Sequence, residues 1–338
     1  MLFESLLPNF VGPLVLACLA TPTCRGESLA SVLKRVDDED FAARVNGDRA
    51  AGPGTTLDIK EIVIGRCWDY QRVIGMKEGK PLSEVDCNGT AWPAFVNAFA
   101  YKSPCSTPED AFSNFIKIMT VSLPVNGTLF WSGTKNLALM YSELSGGTMF
   151  SLELTFFGYT VNGLTWCGKH TGGIHGINYD SCPSFGDQSC QSPVSTVFWG
   201  SASMSFARQA RGSISVLLDG SDPRGAFRNN SFFATMELPN LDTAMVDLVN
   251  IIVVHDLDGH IVDTCDNGTI LILKDRIIQR GLQWKCKDDP KLAKLIQCTE
   301  NPDNEKCNLT SGVNTLHGRS WNFIVLTLLA SLWMIWTC

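Results

Sequence analysis

The sequence predicts an α/β domain with some α+β character: a helical N-terminal lobe, then a lobe with a small parallel sheet flanked by helices. Two observations support this prediction. Up to about residue 210 the apolar residues recur at helical spacing, whereas segments 213–218 and 246–255 are rich in β-branched residues, as buried strands are. Helical segments separate the later strands, which favours parallel pairing and an active-site cleft between the two lobes.

The helical lobe contains three clear helical patterns. The first is predicted to begin at Thr107, a capping residue followed by Pro108 in the first turn and by an apolar face up to Met119. Two further patterns cover 134–145 and 194–210.

The strands of the second lobe are followed by one more helix and a short strand. Residues 267–282 predict a helix that ends at Gly281, and a short strand then leads into Cys286. The predicted organisation is a signal peptide at 1–20, an extension and linker at 21–56, a main domain at 57–307 (helical lobe mostly 57–210, α/β lobe mostly 211–307) and an anchor-signal region at 308–338.

The N-terminal segment has the pattern of a secretory signal peptide. Residues 9–20 form an apolar run that is too short to cross a bilayer and that ends in small residues. Glu4 and the lack of a basic first region leave a buried N-terminal helix as the alternative.

The C-terminal segment predicts a glycolipid (GPI) anchor signal. The small residues Ser311 and Gly312, either of which could carry the anchor, precede a polar spacer and an uncharged apolar tail at 321–338 that is removed from the mature protein. The alternative is a single membrane-spanning helix. No basic residues follow the tail, and this disfavours the alternative.

Cysteine usage indicates an oxidising compartment. Apart from Cys18, Cys24 and Cys338, ten cysteines remain, and an even number behind a signal peptide predicts a framework of five disulfides. None forms a CxxC pair, which disfavours zinc and thioredoxin-like chemistry. Five glycosylation sequons agree with the secretory route: Asn88, Asn126, Asn229, Asn267 and Asn308.

Composition and motifs exclude several functions. The formal net charge of −7 argues against nucleic acid as a partner, because phosphate binding needs clustered Lys and Arg. The sequence contains no P-loop, Rossmann glycine fingerprint or GxSxG motif. Residues 256–259 lack the acidic positions of a calcium loop and predict a plain turn. His170 and His175 have no third ligand nearby, so we predict surface histidines and no metal site.

Five groups of stretches, in order along the chain, resemble the ADP-ribosyl cyclase family. They are LFWS (129–132), SLELT and GY with LTWCG (151–168), INYDSCP (177–183), PVSTVFW (193–199) and NSFFATME (230–237). The resemblance extends from Cys67 to Cys307. It implies the disulfides Cys67–Cys87, Cys105–Cys190, Cys167–Cys182, Cys265–Cys286 and Cys298–Cys307.

The resemblance also implies the catalytic residues. Glu237 matches the catalytic glutamate, and the chemistry needs one, because loss of nicotinamide leaves an oxocarbenium-like ribose that a carboxylate stabilises. Trp131 and Trp199 match two tryptophans that flank the substrate pocket, stack on nicotinamide and exclude water. Glu153 matches the acidic residue that the family uses to hold the carboxamide of nicotinamide. The same residue influences the balance between cyclisation and hydrolysis.

Further positions are implied to bind substrate. Ser132, Ser203 and the backbone near Phe233 match contacts to the diphosphate. Asn162 stands in the nicotinamide pocket in place of an Asp. Phe232 stands where an aromatic residue is expected to hold the adenine by stacking and so to favour cyclisation.

Three departures from the family pattern concern substrate binding, and the asparagine at position 162 is the first of them. Leu154 replaces an Asp that many members carry beside the glutamate. Gly133 replaces a basic phosphate contact, although Lys135 is close in sequence.

The resemblance implies an ectoenzyme that cleaves NAD to nicotinamide and an enzyme-held ADP-ribosyl intermediate. Cyclic ADP-ribose, ADP-ribose and base exchange on NADP with a pyridine base are the expected outcomes. NAD and NADP are substrates, and no cofactor is expected. The expected location is the cell surface or a vesicle lumen, and a homodimer is the family expectation. The alternatives are a catalytically weak or inactive receptor or adhesion protein on the same fold, and a different secreted glycosidase.

Overall fold

The computed structural model describes residues 52–74, 76–77, 80–81 and 84–307. The predicted signal peptide, the N-terminal extension up to residue 51, the sequon at Asn308 and the predicted anchor region all lie outside these residues. Within the described ranges, no helix is both long enough and apolar enough to cross a membrane.

A four-stranded parallel sheet lies at the centre of the fold. Its strands are β1 (Thr128–Ser132), β2 (Gly212–Asp219), β3 (Val246–Val254) and β4 (Gln283–Asp288), side by side in that order. Each neighbouring pair runs parallel. The predicted parallel sheet is therefore confirmed, with its two β-branched strands as the central pair.

Helices of 6 to 16 residues cover this sheet and build the N-terminal part of the domain. In the described part of the chain they are α1 (Ile59–Asp69), α2 (Trp92–Phe99), α3 (Ser113–Ile118), α4 (Lys135–Leu144), α5 (Phe156–Val161), α6 (Val194–Gln209), α7 (Thr269–Gln279) and α8 (Lys291–Glu300).

Short elements complete the backbone. Two antiparallel pairs of two-residue strands join Gly52–Pro53 to Ser181–Cys182 and Met76–Lys77 to Lys80–Pro81. Residues 301–307 belong to a separate short unit. The single-turn helices are Tyr70–Ile74, Cys87–Ala91, Leu152–Leu154, Phe233–Glu237, Leu238–Asn240 and, in that last unit, Glu305–Cys307.

One face of the sheet packs into the main hydrophobic core. Side chains alternate along a strand, so Phe130, Val216 and Ile251 all point to this face, where they are almost fully buried. The same core contains Phe95 of α2 and Phe198 of α6. The helical and α/β segments therefore share one continuous core.

The opposite face of the sheet is covered by helices α4 and α8. Leu129, Leu217 and Ile252 point to this face and form a second cluster with Ala138 of α4 and Ala293 of α8. The sheet thus lies between two helical layers, as the predicted α/β class requires.

One strand of the sheet comes from the part of the chain before residue 210. Strand β1 lies within 57–210, a segment predicted to be mostly helical, yet it pairs with β2 along its whole length. A five-residue apolar run is too short for its periodicity to separate strand from helix. Pairing with β2, which lies about 80 residues further along the chain, makes this run a strand.

Helix α3 begins at Ser113 and not at Thr107, which corrects the prediction. The Thr107 amide donates to the Ser192 carbonyl at 3.3 Å, next to the Cys105–Cys190 disulfide. This cross-link holds the chain extended, and tight turns precede the first helical residue. A capping sequence favours a helix start only where the backbone is free to turn.

All ten predicted cysteines are disulfide-bonded. Cys298 and Cys307 are both disulfide-bonded. The other four bridges join the predicted partners: Cys67–Cys87, Cys105–Cys190, Cys167–Cys182 and Cys265–Cys286.

Replacing Phe198 with alanine is expected to lower the free energy of unfolding by about 3–5 kcal/mol. Phe198 is fully buried, and its ring meets Phe112 and Trp166 edge-on at centroid distances of 5.2 and 5.3 Å. Phe185→Ala is the matched control, because Phe185 is 58% exposed and exposed substitutions stay within about 0.5 kcal/mol. Denaturant unfolding with the disulfides intact measures both variants. A loss below about 1 kcal/mol for Phe198→Ala would contradict the prediction.

Candidate active site

The carboxyl ends of the parallel strands lie along one edge of the sheet. Strand β1 ends with Trp131 and Ser132, and β2 ends with Asp219. Ligand sites in open parallel sheets form outside this edge, where the loops that leave neighbouring strands diverge. The candidate residues near Trp131 and Ser132 are therefore placed where a ligand site is expected.

Glu153 is held by the indole of Trp131. The Trp131 Nε1–H donates to Glu153 at 3.2 Å from Oε1 and 3.1 Å from Oε2. Glu153 is buried, whereas Trp131 is partly exposed. A hydrogen bond at the ring edge fixes the orientation of the indole and leaves its flat faces for stacking.

A tight local fold places Glu153 at this point. Glu153 lies in the single turn Leu152–Leu154, and Thr155 caps helix α5 by accepting a hydrogen bond from the Gly158 amide at 3.1 Å. The Thr155 hydroxyl also donates to the Leu152 carbonyl at 2.7 Å. A Cβ at Gly158 would lie 2.1 Å from that carbonyl oxygen, so only glycine permits this close approach.

Glu237 is buried against helix α6. The π-helical turn Phe233–Glu237 ends at this residue, which is 6% exposed. Ser203 Oγ donates to Glu237 Oε1 at 3.0 Å. The second carboxyl oxygen, Oε2, is buried and has no protein hydrogen-bond partner in the described part of the chain. A buried oxygen of this kind is suited to accept a hydrogen bond from a ligand.

Burial raises the pKa of Glu237 from 4.5 to about 8. Desolvation is the main cause, because an apolar environment disfavours the charged form. The hydrogen bond from Ser203 lowers this pKa, and the negative charge of Glu153 raises it. The folded protein keeps the proton up to about pH 8, whereas the unfolded chain releases it near 4.5. Glu237 therefore destabilises the fold increasingly as the pH rises from about 4.5 to about 8.

Trp199 lies on the same helix as Ser203, one turn earlier, so both side chains share a face of α6. The Trp199 ring is partly exposed and meets Phe198 edge-on at a centroid distance of 5.0 Å. Buried Phe198 anchors this indole beside the residue that holds Glu237. The predicted residues Trp131, Glu153, Trp199, Ser203 and Glu237 are thus brought to one region by β1, a turn, α6 and a second turn.

Asn162 lies between two basic residues. Lys135 Nζ donates to Asn162 Oδ1 at 3.1 Å, and Arg66 Nη1 donates to the Asn162 carbonyl at 2.6 Å. Lys135 is the first residue of α4, the helix that follows strand β1. Asn162, which was predicted to lie in the nicotinamide pocket, is therefore linked to the end of β1 through Lys135. The ammonium group of Lys135 already has the Asn162 side-chain oxygen as a hydrogen-bond partner.

The two adjacent phenylalanines have different environments. Phe232 is partly exposed, and its ring meets exposed Phe185 at a centroid distance of 5.5 Å. Phe233 is fully buried against Phe130 and Phe227. The Phe233 side chain therefore packs in the core, and only its backbone remains available to a ligand.

Four predicted sequon asparagines lie within the described residues, and all are exposed: Asn88, Asn126, Asn229 and Asn267. Three use the side-chain oxygen to accept a hydrogen bond from a nearby amide or guanidinium group. That arrangement leaves the amide nitrogen, to which a glycan is attached, directed elsewhere.

A family model described as ADP-ribosyl cyclase matches residues 56–307. The chain belongs to the ADP-ribosyl cyclase family. It is 33% identical over 258 residues to an ADP-ribosyl cyclase/cyclic ADP-ribose hydrolase 1 from Rattus norvegicus, covering 76% of this chain and 82% of the relative. It is also 33% identical to an ADP-ribosyl cyclase/cyclic ADP-ribose hydrolase from Aplysia californica, covering 75% and 88%.

Solved structures of cyclase-family enzymes have the same fold. Aplysia cyclase complexed with substrate NGD and product cGDPR is 32% identical, with a TM-score of 0.69 and coverage of 77% of this chain and 100% of that one. Porcine CD38 with a covalent intermediate is 34% identical, with a TM-score of 0.64 and coverage of 70% and 98%. The chain is thus a member of an enzyme family.

The structure adds two residues to this cyclase-family site that the sequence did not single out. Phe185 covers Phe232 from a loop between cysteines, and Arg228 donates a hydrogen bond to Ser132. Each contact joins segments far apart in the chain. The only sequence signal was an aromatic or basic residue close to a family motif.

Ser203→Ala is expected to raise the pKa of Glu237 above the native value of about 8, because it removes the hydrogen bond that stabilises the carboxylate. Ser195→Ala is the matched control, since Ser195 lies on the same helix and its buried hydroxyl has no protein partner in the described residues. A carbon-13 NMR titration of labelled glutamate carboxyl groups measures the shift. An unchanged or lower pKa in Ser203→Ala would contradict the assignment.

Proposed function

We propose that this chain binds NAD at the carboxyl edge of the sheet and cleaves the bond between nicotinamide and ribose. The observation that carries the proposal is Glu237, a buried carboxyl group held through one oxygen by Ser203 with its other oxygen unpaired in the described residues. Family membership supports the substrate class, since the relatives are named for ADP-ribosyl cyclisation and cyclic ADP-ribose hydrolysis.

The reaction requires stabilisation of positive charge on the ribose. As the bond breaks, its electron pair passes to the nicotinamide nitrogen, which loses its positive charge, and the ribose carbon becomes an oxocarbenium-like centre. The Glu237 carboxylate stabilises that centre, and it does so more strongly in a dry site than in water. The pyridinium charge of bound NAD also favours the ionised form of Glu237, which offsets the pKa of about 8 in the free protein.

The tryptophans and Glu153 prepare the nicotinamide end of the substrate. The indole of Trp131 has its edge fixed by Glu153, and Trp199 is anchored by Phe198. Flat rings held in this way can stack on a pyridine ring and keep water from the reacting carbon. Glu153 is a buried acceptor suited to the amide group of nicotinamide.

Three groups then compete for the ribose carbon. Attack by the adenine N1 gives cyclic ADP-ribose, attack by water gives ADP-ribose, and attack by a free pyridine base gives exchange, including on NADP. Phe232, which directly precedes the turn that ends at Glu237, forms an aromatic pair with exposed Phe185 from a separate loop. Stacking of the purine on this pair would bring N1 close to the carbon and favour cyclisation.

Glu237→Gln is expected to reduce nicotinamide release from NAD by at least a hundredfold, about 2.7 kcal/mol of barrier. The variant should fold and be more stable than the wild type at pH 9, because the cost of a buried carboxylate is gone. Glu143→Gln, on the exposed side of α4, is the control. A loss below tenfold would contradict the role of Glu237. Absence of nicotinamide release by the wild-type ectodomain would favour the receptor or adhesion alternative.

Phe232→Thr is expected to lower the ratio of cyclic to linear product severalfold, because a small polar side chain neither stacks on adenine nor excludes water. The wild type should give a mixed product, since Glu153 favours hydrolysis by family resemblance. Chromatography of the products from NAD measures both ratios. Phe185→Thr should shift the ratio in the same direction by less. An unchanged ratio in Phe232→Thr would show that Phe232 only packs the turn.

We also propose that the mature chain is glycosylated and GPI-anchored on the cell surface or in a vesicle lumen. The disulfide-bonded cysteines support an oxidising compartment. Phosphatidylinositol-specific phospholipase C is expected to release the protein and its activity from cells. Activity that stays with the membrane, while a control anchored protein is released, would instead support a spanning helix.

A further inference from the structure

The guanidinium of Arg228 reaches the end of strand β1. Arg228 Nη2 donates to Ser132 Oγ at 2.9 Å, and Ser132 directly follows Trp131, the partner of Glu153. The Arg228 side chain is 22% exposed, so it is partly desolvated and still accessible. A basic group therefore lies beside a site that otherwise contains two buried carboxyl groups.

The positive charge of Arg228 is only loosely paired. Its Nη1 lies 3.7 Å from Asp222 Oδ2, beyond hydrogen-bonding distance. Arg224 binds the same carboxylate through two short contacts, Nε to Oδ1 at 2.9 Å and Nη2 to Oδ2 at 2.8 Å. Accordingly, the lowered pKa of Asp222 is due first to Arg224, and Arg228 contributes least. Arg228 thus retains donors and charge for another anion.

A dinucleotide substrate needs such a cation here. Its diphosphate carries two negative charges, which the carboxyl groups of Glu153 and Glu237 repel when ionised. The position after Ser132 cannot readily supply a basic side chain. Gly133 has a φ of +83°, and a Cβ there would lie 3.0 Å from Asp219 Cβ.

We propose that Arg228 is a further residue that binds the diphosphate of the substrate, beside the contact that family resemblance assigns to Ser132; this inference rests on the proposed cleavage of NAD. The planar guanidinium suits phosphate oxygens, to which it can donate two parallel hydrogen bonds. Ser132 Oγ accepts from Arg228, so its own hydrogen is available to donate to a phosphate oxygen. The two side chains therefore form one anion site built from β1 and from the loop before Glu237.

The backbone connects this anion site to the catalytic turn. The Arg228 carbonyl accepts hydrogen bonds from the Ser231 amide at 3.0 Å and from Ser231 Oγ at 2.8 Å. Ser231 Oγ in turn accepts from the Ala234 amide at 3.2 Å, within the turn that ends at Glu237. A diphosphate held by Arg228 is thus kept at a fixed distance from Glu237, which is how remote binding groups orient a reacting bond.

The test combines a side-chain change with a change of substrate. Arg228→Met removes the charge, and Arg228→Lys keeps the charge without the planar guanidinium. Arg208→Met is the control, because Arg208 is an exposed arginine at the end of α6 that binds Asn240. Nicotinamide release is measured with NAD and with nicotinamide riboside, which has no phosphate. For Arg228→Met we expect KM for NAD to rise at least tenfold, kcat to change less than threefold, and kcat/KM for the riboside to stay within twofold of wild type. Arg228→Lys should recover part of the loss, and Arg208→Met should match wild type.

Two outcomes would overturn the inference. An unchanged KM for NAD in Arg228→Met shows that Arg228 does not bind the diphosphate, and an equal loss with the riboside shows a merely structural role. Calorimetric titration with ADP-ribose separates this failure from failure of the proposed function. If the wild type releases no nicotinamide but binds ADP-ribose at least ten times more tightly than Arg228→Met, the anion site stands and the reaction does not. If the wild type neither releases nicotinamide nor binds ADP-ribose, both are wrong.

Discussion

The rest of the site depends on the burial of one carboxyl group, that of Glu237, and on the hydrogen bond that Ser203 donates to it. A carboxylate in an apolar setting stabilises a developing positive charge far better than one in water, but it disfavours its own ionised form. The raised pKa of Glu237 results from this second effect, the cost of ionising a buried carboxyl group. Ser203 relieves part of the cost, and a cationic substrate would relieve more. The protein is thus less stable above about pH 4.5, in exchange for a strong electrostatic group in the site.

Burial of Glu237 requires a rigid apolar framework around it. The aromatic cluster of Phe112, Trp166 and Phe198 fixes helix α6, which presents both Trp199 and Ser203 on one face. The sheet is buried between two helical layers, and its carboxyl edge opens toward the turns that carry the acidic residues. The Cys105–Cys190 and Cys167–Cys182 disulfides cross-link the loops between these elements.

Charge in the site is divided between two ends. Glu153 and Glu237 are both buried, and in the proposed reaction they make the nicotinamide end acidic, which suits a cationic leaving group. Lys135 already donates a hydrogen bond to Asn162, so it does not face the ligand as a free charge. Arg228, through Ser132, supplies positive charge to the other end. An acidic end and a basic end together match a substrate with a pyridinium at one point and a diphosphate at another.

The sequence by itself determined the fold class, the two central strands and helix α6, because burial on a regular element leaves a local period. Ordered motifs with a matching cysteine frame determined the family and the candidate residue Glu237. Tertiary structure alone decided the rest. Tertiary contacts made 128–132 a strand and moved the start of the helix expected at Thr107 to Ser113. They also buried the side chain of Phe233 and paired Arg228 with Ser132. Each of these outcomes depends on contact between residues far apart in the chain, and such contacts leave no period that a single sequence can display.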